Sequence, residues 1–141
     1  MITPFELRII GHEGKKPFAY QDSLGYWSVG IGCCIDERKG EGLTEQEMLY
    51  LMRNRIQRKR VALLAYQWFP SLPVVRQDVL VEMAFNLGIK GLLNFKKMIA
   101  AVQNHDWKEA VAQMKDSKWA TQIGKARLDD LCNRMLKGVY D

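Results

Sequence analysis

Apolar and polar positions follow three regimes along the chain, and each predicts a different kind of element. The first opens with Thr3-Pro4-Phe5-Glu6, in which Thr3 is an N-cap, Pro4 takes the first helical position and Glu6 completes a capping box. A helix is predicted from there to His12 or Glu13, with Gly14 as its C-cap. From Pro17 to Ile35 the signals change to strand and turn. Phe18, Tyr20, Tyr26, Trp27, Val29 and Ile31 supply β-prone bulk, and Ser23-Leu24-Gly25 interrupts them, which predicts a small antiparallel hairpin or meander. Strand alternation then sets Trp27, Val29 and Ile31 on one face and Tyr26, Ser28, Gly30 and Gly32 on the other.

The third regime is helical. After a polar loop, Asp36 to Gly42, a second capping box at Thr44-Glu45-Gln46-Glu47 opens a long helix expected to reach about Trp68. Its middle, Arg53 to Arg60, has Ile56 as its only apolar residue, and a helix polar all round usually spans between packed units. A small N-terminal lobe, a spanning helix and a larger helical lobe follow from that. Beyond Phe69-Pro70-Ser71-Leu72-Pro73, Val74 to Leu87 is mostly apolar with Gly88 as C-cap and reads as a buried central helix. Phe95 to Val102 is the next helix, and a third capping box at Asp106-Trp107-Lys108-Glu109 opens another, to about Met114. The last, near Gly124 to Leu136, carries Leu128, Leu131, Cys132 and Met135 on one stripe and stops at Gly138. The fold class is α+β, mainly α.

Composition narrows the picture. With 48% hydrophobic and 26% charged residues in 141, neither disorder nor a membrane protein is indicated. The N-terminal stretch carries Pro, Glu and Arg within its apolar run, so neither a secretory leader nor membrane insertion is expected. Three cysteines, two of them adjacent, are read as free thiols made in a reducing cytosol. The net charge of +5 favours an anionic partner such as nucleic acid, acidic polysaccharide or a membrane surface, or merely keeps the chain soluble. The cations of Arg53 to Arg60 read either as a nucleic-acid stripe or as a solvated face; no aromatic residue interleaves them for base stacking.

Several chemistries lack their residues. Cys33, Cys34 and His12 do not have zinc-site spacing, and there is no nucleophile elbow, Walker loop or dinucleotide fingerprint. A Ser-His-Asp triad would need His12 or His105, and neither has a serine in a recognisable setting. What remains is the pair Glu13 and Asp22. Glu13 falls at a helix C-terminus, where the macrodipole disfavours an ionised carboxylate, and that suits a proton donor. Asp22 lies in a turn, and Ser28 follows on a strand whose glycines clear space for a close approach or mark bulges. Two such carboxyls suit glycoside hydrolysis, although Glu and Asp nine apart also occur by chance.

The pattern Glu13-Gly14, Tyr20, Asp22, Gly25-Tyr26, Ser28 and Gly30-Ile31-Gly32 resembles the catalytic stretch of the phage-type lysozymes, or endolysins, a glycoside hydrolase family. The likeness continues in Met83 to Gly88, Asn94-Phe95, Trp107 to Ala110 and Ser117-Lys118-Trp119. It implies a lysozyme-like two-lobed fold with a small lobe over residues 13–43, a bridging helix over 44–68, and a helical lobe over 69–141 joined by the helix 4–12. The implied activity is a muramidase cutting the β-1,4 bond between N-acetylmuramic acid and N-acetylglucosamine. Glu13 would be the general acid, Asp22 the carboxylate that holds and activates water, and Ser28, where the family usually has threonine, a hydroxyl that positions that water. Such enzymes invert, which calls for carboxyls about 6.5–9.5 Å apart.

The resemblance also implies saccharide contacts from Cys34, Phe85, Asn86, Met98 and Gln113, with Phe85 and Met98 equally readable as core. Arg127 or Lys125 would pair with Glu13, and Cys33 stands where many members have histidine. No metal or cofactor is implied. The expected partner is peptidoglycan, met by a monomer without nucleic acid. The protein would be made in a host bacterial cytoplasm, released by a holin-type lesion or delivered otherwise, and would act on the periplasmic or extracellular wall. A catalytically inactive wall-binding module is the alternative.

Overall fold

The computed structural model describes residues 1–141, and the chain divides into two compact units, Met1–Leu51 and Met52–Asp141. The first unit contains α1 (Pro4–Glu13), which the sequence reading groups with the helical lobe, and a three-stranded antiparallel meander. Its strands are β1 (Lys16–Gln21), β2 (Trp27–Gly30) and β3 (Cys33–Cys34), in the order β1-β2-β3. The helix begins as its caps dictate. The Thr3 hydroxyl accepts from the Glu6 N–H, and the Glu6 carboxylate accepts from the Thr3 N–H. Gly14, at φ 79°, ends it.

α2 (Glu45–Leu64) runs from the first unit into the second. Its start is the expected capping box, with the Thr44 N–H donating to Glu47 and the Glu47 N–H to the Thr44 hydroxyl. Its end comes four residues before Trp68. From Ala65 the chain tightens into successive three-residue turns, Tyr66 N–H to Leu63 O and Phe69 N–H to Tyr66 O, which bring Phe69 and Leu72 into the core.

The second unit holds α3 (Val74–Leu93), α4 (Lys96–Gln103), α5 (Trp107–Lys115), α6 (Lys118–Gln122) and α7 (Lys125–Lys137). Gly88 (φ 79°, ψ 162°) leaves the helical region inside α3, so the expected stop is a kink after which the helix resumes. The third capping box is only half formed. Asp106 caps the Glu109 N–H, but the Glu109 carboxylate takes the Gln113 amide one turn on instead of reaching back. α6, to which the sequence reading assigns no element, starts at a Ser117 cap.

All of the buried apolar residues lie in this unit, from Leu63 to Met135. The stripe expected on α7 faces them, with Leu131, Cys132 and Met135 buried and Leu128 packed at the edge. At the C-terminal end of α7, Arg76 of α3 donates to the Met135 and Leu136 carbonyls (2.8 and 2.9 Å) while its guanidinium lies 4.0 Å over the Trp107 ring. Arg134, also buried, donates to Glu82 and Asp130, each at 2.6 Å. Burial opposes its charge, but those two carboxylates outweigh it and hold the guanidinium above its ordinary pKa.

Removing a fully buried side chain from this core leaves a void the neighbours only partly fill. Leu131→Ala is therefore expected to lower unfolding stability by about 2–5 kcal/mol. A denaturant titration showing a loss under about 1 kcal/mol would mean that α7 does not seat this stripe against the core.

Candidate active site

The residues singled out by sequence fall into two groups. Glu13, Asp22, Ser28 and Cys34 belong to the first unit, and Phe85, Asn86, Met98, Gln113 and Arg127 to the second. In the first unit, three local devices place the functional groups.

Glu13 is the last residue of α1, and its carboxylate lies on Gly32. A β-carbon at Gly32 would fall 2.6 Å from Glu13 Oε2 and 2.7 Å from Cδ. Gly32 also has φ +64°, so both its backbone and its bare face require glycine. The G-I-G run thus has a specific use, since its second glycine is the floor on which the Glu13 carboxyl rests.

Asp22 follows β1 and closes its own turn. Its Oδ1 accepts from the Leu24 and Tyr26 N–H groups, both at 2.9 Å, while its N–H donates to the Tyr26 carbonyl at 2.8 Å. Oδ2 has no protein partner. One carboxylate oxygen is fixed by backbone donors and the other is free to accept from water.

Ser28 is on β2, opposite Tyr20 of β1 and Cys34 of β3 in the ladder, so Tyr20, Ser28 and Cys34 form one cross-strand row on one face of the sheet. It is that face that is covered. Ser28 is 6% exposed, whereas Trp27 on the other face is 46% exposed. The alternation is as expected, but the face carrying the hydroxyl is the inner one.

Sequence reasoning missed Asp36 and Arg38, in the stretch read as a featureless polar loop. It holds a 3-10 turn, Glu37–Lys39, capped by Asp36. Asp36 is 5% exposed and accepts from the Trp27 N–H (2.9 Å), the Arg38 N–H (3.0 Å) and both Nε and Nη2 of Arg38 (2.9 and 2.7 Å). The Arg38 bonds, then the Trp27 N–H, hold the Asp36 carboxyl well below the usual carboxylate range against the cost of burying it. Since that pKa is depressed, the stability it contributes is present above the ordinary value of about 4 and is lost only as pH falls through the lower folded value. The available signal was local: an aspartate two residues before an arginine can cap a turn and meet the guanidinium at once.

In the second unit the outcomes differ. Phe85 is on α3 with 41% of its surface exposed, beside Met52, Ile56, Glu82, Arg127 and Tyr140 along a cavity of about 370 Å³. The Asn86 amide oxygen accepts from the Trp119 indole N–H at 2.8 Å, and that indole packs edge-on against Phe95. Met98 has no exposed surface, so of its two readings the structure favours core over saccharide contact. Gln113 donates to Glu109 at 2.7 Å and edges a second cavity of about 590 Å³ with Lys97, Lys118 and Gln122. Arg127 stands 3.6 Å from Glu82, and Lys125 pairs with Asp129 one turn along α7. All three cysteines are free, and no cluster of three or more metal-ligating side chains occurs.

Two comparisons bear on this arrangement. A family model described as "Phage lysozyme" matches residues 10–137. "Probable T4-type lysozyme 1" of Dictyostelium discoideum is 24% identical, the match covering 78% of this chain and 81% of that protein. "Probable T4-type lysozyme 2" of the same organism is also 24% identical, over 80% of this chain and 82% of the relative.

Gly30 and Gly32 separate backbone strain from carboxylate placement. Both have positive φ, but a side chain at Gly30 meets nothing within 4 Å. Alanine at either is expected to cost about 1–2 kcal/mol of stability. Only Gly32→Ala should also displace the Glu13 carboxyl and lower turnover per folded molecule by more than about ten-fold. Equal losses of turnover in the two variants would show that Gly32 is not the seat of Glu13.

Proposed function

Since the chain belongs to the phage lysozyme family, we propose that it is a muramidase, hydrolysing the β-1,4 bond between N-acetylmuramic acid and N-acetylglucosamine in peptidoglycan. What carries this reading is the pairing, within one unit, of a carboxyl seated on Gly32 with a second carboxylate pinned through one oxygen only.

Glu13, as the protonated acid, donates to the glycosidic oxygen as the bond to the anomeric carbon breaks. Asp22 accepts a hydrogen bond from a water through Oδ2 and takes its proton as that water adds to the opposite face of the sugar, which inverts the anomeric configuration. Glu13 has then given up one proton and Asp22 has gained one, so a single exchange with solvent restores the pair. The Ser28 hydroxyl gives the water a second partner. Serine supplies the same oxygen as threonine without the methyl that restricts χ1, so the water is held less firmly.

In this reading the net charge of +5 favours approach to an anionic wall. The protein works as a monomer on the periplasmic or extracellular face of a bacterial envelope, reached through a holin-type lesion or by delivery from outside.

Mass spectrometry of muropeptides released from purified sacculi tests the reaction. Products with a reducing N-acetylmuramic acid end are expected, with Glu13→Gln lowering their rate of release by about 10²–10⁴-fold. Anhydro ends would mean a transglycosylase, and intact glycan with cut peptides would refute glycosidase action. Ser28→Ala is expected to slow release by about ten-fold, the worth of one water-positioning hydrogen bond, and Ser28→Thr to match or exceed the parent.

A further inference from the structure

The muramidase reading uses Glu13, Asp22 and Ser28 and gives the Asp36-Arg38 pair no part. Yet the contacts of that pair converge on the residues between Asp22 and Ser28. Arg38 Nη2 donates to the Gly25 carbonyl at 2.8 Å as well as to Asp36, and the guanidinium lies 5.1 Å over the Tyr26 ring. Asp36 takes the Trp27 N–H at 2.9 Å. Tyr26 is thus tied on both sides with the guanidinium over its ring, and its N–H is one of the two, with that of Leu24, that fix Asp22 Oδ1. One residue beyond Trp27 is Ser28.

We propose that Asp36 and Arg38 are positioning residues of the hydrolytic reaction, which by fixing residues 25–27 hold the Asp22 carboxylate and the Ser28 hydroxyl in a single geometry around the attacking water. The proposal rests on the muramidase reading.

Two features separate this role from plain stabilisation. The Arg38 side chain is 63% exposed, so its removal opens no cavity, and Asp36, 5% exposed, keeps the backbone N–H donors of Trp27 and residue 38 when that side chain is lost. The Asp22 turn also has bonds of its own, including Gly25 N–H to the Asp22 carbonyl and the Gln21 amide to the Gly25 carbonyl. Without Arg38 the turn persists but is free to shift. Small displacements of groups that orient a nucleophile act on turnover far more than on folding. The planar guanidinium engages two oxygens of Asp36 and the Gly25 carbonyl at once, which a lysine ammonium cannot reproduce in the same plane.

The test measures initial rates of muropeptide release from purified sacculi, over a range of sacculus concentration, for the full chain and for Arg38→Ala, Arg38→Lys, Asp36→Asn and Glu13→Gln. Sedimentation with sacculi reports binding, and circular dichroism reports the folded fraction. For Arg38→Ala, turnover per folded molecule is expected to fall about ten- to one-hundred-fold with sacculus binding unchanged. Arg38→Lys should stay low, and millimolar methylguanidinium should restore turnover to Arg38→Ala but not to Glu13→Gln. Asp36→Asn, which keeps an acceptor for Trp27 but loses the charge, should likewise lose turnover rather than binding. Turnover of Arg38→Ala equal to wild type overturns the proposal, as does a loss that merely follows the folded fraction and resists methylguanidinium. A wild type no faster than Glu13→Gln is a different outcome. It removes the hydrolase reading, and the role of the pair with it.

Discussion

The Asp36 carboxylate accepts four hydrogen bonds, three from Arg38 and one from the Trp27 N–H, and the first unit has little else that is buried. Its only other fully covered side chain is that of Ser28. A sheet whose third strand is two residues long cannot specify its own geometry by apolar packing. Directional bonds to an ionised group do it instead. Because such bonds are charge-assisted and have fixed angles, they define the position of a few backbone groups more tightly than an apolar contact of similar strength would.

The two units therefore solve the folding problem by different means. The second buries a continuous core from Leu63 to Met135 and closes the end of α7 with the Arg76 guanidinium. The first spends its order on small features: a capped ten-residue helix, an aspartate turn and an arginine clamp. Both carboxylates of the proposed reaction sit on those small features. Both are exposed to water, while backbone N–H groups hold one oxygen of Asp22 and Gly32 leaves room for the Glu13 carboxyl.

What could be read from sequence was what is local or periodic. The capping boxes at Thr3 and Thr44, the end of α1 at Gly14 and the stripe on α7 each depend on residues within a turn or two of each other, and each formed. The Asp36-Arg38 pair is itself local, but what makes it matter is not: Asp36 takes the N–H of Trp27, nine residues away, and Arg38 reaches Gly25 and Tyr26. The third capping box opens with Asp106 where the first two have threonine, and Gln113 takes the Glu109 carboxylate, a competitor that a four-residue pattern does not contain. α2 stops four residues short of Trp68 because burial of Phe69 and Leu72 favours tight turns over another helical turn. At the site, the motif located Glu13, Asp22 and Ser28 but not the reason for its last glycine, which only the position of the Glu13 carboxyl supplies.

The bond between Asn86 and Trp119 has one more consequence. An indole nitrogen can only donate, so it forces the Asn86 amide to turn its oxygen inward and its nitrogen outward. A side chain that in isolation is indifferent between giving and accepting is thereby given a polarity. What this point on the surface of α3 presents to an arriving molecule is a pair of N–H groups, matched to a carbonyl or ether oxygen and mismatched to another amide hydrogen. An aromatic ring in the core has set the sign of a hydrogen bond at the surface.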